Sequence, residues 1–71
     1  MKSKQELLVE ALKNRFEADR TAAVATLQIY LDSAAGIGEH PQIVEEMAKQ
    51  VEILAAAEDH LEVLERNFNY E

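Results

Sequence analysis

From Ile43 to Phe68 the apolar residues Ile43, Met47, Leu54, Ala57, Leu61, Leu64 and Phe68 follow a strict 4-3 spacing in which Gln50 fills the one polar place. That repeat keeps one stripe of an α-helix turned toward a neighbouring helix, so the stretch reads as a coiled-coil seam with a single polar interruption. The acids Glu45, Glu52 and Asp59 fall on the opposite side. Earlier in the chain Leu8, Leu12, Phe16, Asp19, Ala23, Leu27, Tyr30 and Ala34 are spaced 4-4-3-4-4-3-4. This is closer to an eleven-residue repeat and predicts a straighter or weakly right-handed seam.

Between Lys4 and Ala35 there is no glycine or proline, and strong helix formers dominate. Gly36, Gly38 and Pro41 then concentrate the chain breakers in a few positions. Gly36 suits the left-handed residue that closes a helix, His40 the N-cap of the next, and Pro41 its first turn, where a missing N–H costs nothing. The expectation is an all-α fold. A helix over about 4–35, a turn at 36–40 and a helix over about 41–69 make residues 1–71 one antiparallel helical hairpin. Folding at the turn places opposite one another positions whose numbers add to about 77, as in Tyr30 with Met47, Ala23 with Leu54, and Phe16 with Leu61. It also pairs Leu27 with Gln50, Leu8 with Phe68 and Ala34 with Ile43. The alanine-rich stretches Ala22–Ala25 and Ala55–Ala57 meet as well, and small side chains there let the backbones approach.

Apolar residues also lie beyond these seams, including Leu7, Val9 and Ile29 in the first helix. An apolar arc of about three positions in seven belongs to a helix inside a bundle, not in a lone pair. A second copy is the simplest cover, giving a homodimeric four-helix bundle. The expected interface residues are Val24, Leu31, Val44, Val51, Ile53, Ala56 and Val63.

Charge narrows the partners. Fourteen acids against seven bases give a net charge of −7, and the surplus falls in residues 39–71. Nucleic-acid binders neutralise phosphates with clustered Lys and Arg, and anionic membranes require the same sign, so neither partner is expected. There is no cysteine for a disulfide framework. The longest apolar runs fall far short of the ~20 residues that span a bilayer, and the start does not read as a signal peptide. The expected compartment is the cytoplasm.

Candidate chemistry is sparse, and no catalytic, cofactor-binding or metal-binding residue is assigned. A Glu-x-x-His pair of the kind that builds di-metal bundle sites is missing, because Ile37 and Ala57 stand three before His40 and His60. Glu58, Asp59, His60 and Glu62 read as a solvated acidic run. Ser3 and Ser33 belong to no nucleophile–base–acid pattern. Gly36-Ile37-Gly38 follows a helix instead of a strand, so it reads as a turn and not a phosphate loop. No enzymatic activity and no cofactor are expected.

The segment from Gly36 to Met47, with its Gly-Ile-Gly-Glu-His-Pro turn, and the acidic stretch from Ala57 to Phe68 resemble short uncharacterised helical proteins of tailed marine bacteriophages of the cyanophage type. The resemblance implies action in the cytoplasm of an infected bacterium, with a host protein as partner, and supplies no site residues to carry over. The leading functional expectation is a non-enzymatic acidic interaction or scaffold protein that works through helix packing. The alternative is a polyanion mimic in which Glu45, Glu52, Asp59 and Glu62 occupy a nucleic-acid-binding protein.

Overall fold

The computed structural model describes residues 1–33 and 42–69. Helix α1 runs Lys4–Ser33 and helix α2 runs Ile43–Asn67. They pack against each other lengthwise, and the described residues contain no strand. The turn at 36–40, the closing role of Gly36, the cap at His40, Pro41 in the first turn and the pairing of Ala34 with Ile43 lie outside the described residues.

The start of α1 and the end of α2 are satisfied by residues of their own chain, whereas Gln42 at the start of α2 makes no side-chain cap. At the start of α1 the Glu6 N–H donates to Ser3 Oγ at 3.1 Å, and the Ser3 N–H donates back to Glu6 Oε1 at 3.3 Å. This is a capping box, in which two orphan N–H groups are bonded reciprocally. Replacing Ser3 by alanine is expected to lower the unfolding free energy by about 1 kcal/mol, read from a shifted urea midpoint at unchanged slope. In α2 the Glu46 N–H donates to the Gln42 carbonyl at 2.9 Å. Glu45 and Glu46 occupy its first turn and Arg66 its last, each matching the helix dipole. The Phe68 N–H bonds the Leu64 carbonyl at 2.8 Å, and the Asn67 side-chain amide takes the Val63 carbonyl at 2.8 Å, closing the C-terminal end.

The seam of α2 follows the sequence pattern: Ala57 and Leu64 are buried, and Ile43, Met47, Gln50, Leu54 and Leu61 are half-buried. Phe68, at its end, remains exposed. The seam of α1 differs from the eleven-residue reading. Leu8 is 66% and Leu12 43% exposed, and Asp19 is exposed too. The residues turned inward are Val9, Lys13, Phe16, Arg20, Ala23, Leu27 and Tyr30, a 4-3 heptad like that of α2. The physical reason lies in Lys13 and Arg20. Their long aliphatic stems cover the partner helix while the charged ends reach water, so two basic residues serve as seam residues.

Two contacts across the helices fix the register. Lys13 Nζ lies 3.5 Å from Glu65 Oε2, and the Phe16 and His60 rings have centroids 4.7 Å apart at 50°. Their residue numbers bracket the expected sum of about 77. With this register Leu54 stands across from Ala23 and Arg20 across from Ala57, large against small in two successive layers. Ala23 is 1% and Ala57 2% exposed, so these small side chains are almost wholly covered by the facing helix.

The resulting molecule is thin, 53 × 19 × 14 Å. Its accessible surface is 5653 Å². A compact monomer of this mass exposes about 4,450 Å², so the hairpin leaves roughly 1,200 Å² more in water.

Candidate functional site

Two helices lying side by side bury one seam and leave two broad faces. At 100° per residue, one flank of α1 carries Leu8, Leu12, Arg15, Asp19 and Ala22, and the matching flank of α2 carries Ile53, Ala56, His60 and Val63. They share a face, here called the front. An open hollow of about 340 Å³ between the helices is lined by Leu12, Arg15, Phe16 and Asp19 from α1 and by Ile53, Ala56, Ala57 and His60 from α2. Phe16 forms its floor, with the tilted His60 ring against it.

The opposite, or back, face is divided along its length. Toward the turn it bears Val24 and Leu31 of α1 and Val44, Ala48 and Val51 of α2, with Val44 71% exposed. Toward the termini it bears Glu10 and Glu17 of α1 and Glu58, Glu62 and Glu65 of α2. Most of these acids have cations beside them. Lys2 pairs with Glu10, Lys13 with Glu65, Arg20 with Glu17 and Arg66 with Glu62. The Lys2 ammonium is held above its usual pKa, first by its hydrogen bond to Glu10 and then by that carboxylate's charge. Such exposed pairs orient side chains more than they stabilise the fold.

Arg15 and Asp19 behave differently. Among the described residues neither takes an ion pair, a state Arg15 shares with Lys4 among the bases and Asp19 with Glu45, Glu52, Glu58 and Asp59 among the acids; Arg15 and Asp19 are set apart by lying together in the front hollow. They stand one helical turn apart, with the base N-terminal to the acid, which is the weaker orientation for pairing within a helix.

The seven residues expected at an interface therefore divide between the faces. Ile53, Ala56 and Val63 lie on the front, with Leu8 and Leu12 as neighbours that the sequence reading had assigned to the seam. Val24, Leu31, Val44 and Val51 lie on the back. Apart from half-buried Val24, all seven are exposed. The strict heptad of α2 held the signal for this division, because a partner helix of an antiparallel coiled coil must share its 4-3 spacing.

Among the described residues no group of three or more His, Asp or Glu is placed to hold a metal ion, and no helix is long and apolar enough to cross a membrane. The features these faces do offer are apolar area, a tilted aromatic pair and, in the front hollow, an Arg15 and an Asp19 that take no ion pair among the described residues. They suit recognition of another helical surface. No protein-family model matches the chain, and neither a curated protein nor a solved structure does.

Proposed function

We propose that this protein is a non-enzymatic helical interaction module of the cytoplasm, which self-associates into a homodimeric four-helix bundle and presents an acidic, partly apolar face to another protein. The observation that carries this reading is the set of large apolar side chains left in water on a hairpin with three buried residues among those described, Ala23, Ala57 and Leu64. Burying such side chains against a second helical layer contributes about 25 cal/mol per Å² of apolar area, a gain that one helix pair forgoes. The resemblance to phage proteins supports a host protein as the further partner. The back face, with apolar residues at one end and carboxylates at the other, suits a partner with an apolar stripe running into a basic end.

Polyanion mimicry has less support. Glu45, Glu52 and Asp59 recur every seventh residue, about 10.5 Å apart along α2, far sparser than the one charge per ~3.4 Å of a nucleic-acid strand.

Sedimentation equilibrium at micromolar concentration tests the proposal. The expected mass is twice the 8.0 kDa of the chain. A single-chain mass persisting to 100 µM, an order-of-magnitude ceiling for a specific dimer, overturns it.

A further inference from the structure

We propose that the second copy docks on the front face in an antiparallel arrangement about a two-fold axis at His60, so that Arg15 of each copy pairs with Asp19 of the other. This inference rests on the self-association proposed above and adds the face, the direction and the pairing residues. In the observed register His60 stands level with Glu17 of α1, between Arg15 and Asp19 and near the middle of the hairpin. A two-fold axis through that level, perpendicular to the helices, exchanges the positions of Arg15 and Asp19. Two opposite charges that take no ion pair among the described residues thereby acquire reciprocal partners in the pair.

The apolar residues follow the same symmetry. On the terminal side of His60 the front face carries Leu8, Leu12 and Val63; on the turn side it holds Ala22, Ile53 and Ala56 nearest the axis and Thr26, Ile29 and the Glu46–Lys49 ion pair farther out. The axis lays Leu12 and Val63 of one copy over the level of Ala22 and Ala56 of the other, large against small in the layers beside it. A parallel arrangement stacks Leu12 with Val63 and Ala22 with Ala56, large on large and small on small, and sets Arg15 beside its own copy or beside His60.

The back face lacks this self-complementarity. Its terminal half carries five glutamates, four of them already paired with Lys or Arg of the same chain, and an antiparallel partner sets this charged surface against Val44 and Val51. The front face also has sufficient extent. A molecule 53 Å long and 19 Å wide presents on the order of 1,000 Å² on its broad side. A stable interface buries about 800 Å² from each partner.

Charge reversal tests the pairing, with wild-type protein, Arg15→Asp, Asp19→Arg and an equimolar mixture of the two variants compared by sedimentation. Each variant alone is expected to raise the dimer dissociation constant at least tenfold. The mixture restores dimers, because one chain then supplies two acids and the other two bases. That recovery also shows that both variants fold. Spin labels on Gln42→Cys, in a chain without other cysteines, report direction: the antiparallel pair separates them by about 50 Å at 1.5 Å per residue. A wild-type dimer indifferent to both reversals, a mixture that fails to recover, or labels within about 20 Å overturns this inference and leaves self-association standing. A wild-type monomer overturns both.

Discussion

Leu64→Ala is expected to destabilise the hairpin by about 2–3 kcal/mol, the low end for a leucine truncated in a packed seam. Leu64 is 7% exposed and is the largest of the three buried side chains. In the observed register it stands across from Lys13, whose unbranched stem can partly fill the vacated space and keeps the loss at that low end. A domain of this length has roughly 4–10 kcal/mol of stability in total, so the variant loses a substantial part of it. Leu12→Ala, at a residue 43% exposed, is expected to cost less than about 1 kcal/mol. Urea melts of the two at concentrations below dimer formation separate these cases. Equal losses would return Leu12 to the seam and refute the heptad in α1.

The second large effect concerns assembly. Ile53→Glu is expected to weaken the dimer on the order of 100-fold, or about 2.8 kcal/mol, because it forces a carboxylate into the apolar part of the front face. Val51→Glu, two residues away, changes the back face and leaves the dimer intact, as does Glu52→Lys on the outer side of α2. Sedimentation of all three at matched concentrations gives the answer. Dissociation by Val51→Glu with Ile53→Glu unaffected would assign self-association to the back face instead.

Much of this molecule is legible in its sequence where side-chain chemistry and position agree. The seam of α2 is built almost wholly of apolar residues, so its spacing identifies both the helix and its inner side. In α1 the two disagree. Lys13 and Arg20 are charged yet turned inward, while Leu8 and Leu12 are apolar yet exposed, and a reading by polarity alone exchanges them. The register survives this exchange, since the sum that pairs Phe16 with Leu61 depends on where the chain turns and not on which neighbours are greasy. Ser3 shows a different loss. Outside any nucleophile–base–acid pattern, it forms a capping box with Glu6 that the Ser-x-x-Glu spacing already contained. The two faces are not legible from composition at all. Val51 and Ile53 are close in sequence and similar in character, and only the helical rotation between them sends one to each side.

The three buried side chains sit together in the middle third of the hairpin, at the level of Leu64, Ala57 and Ala23. Among the described residues, those beyond this level are at most half-covered. A lone chain is thus clasped at its waist, and a docking second layer would add most of its cover outside the clasp.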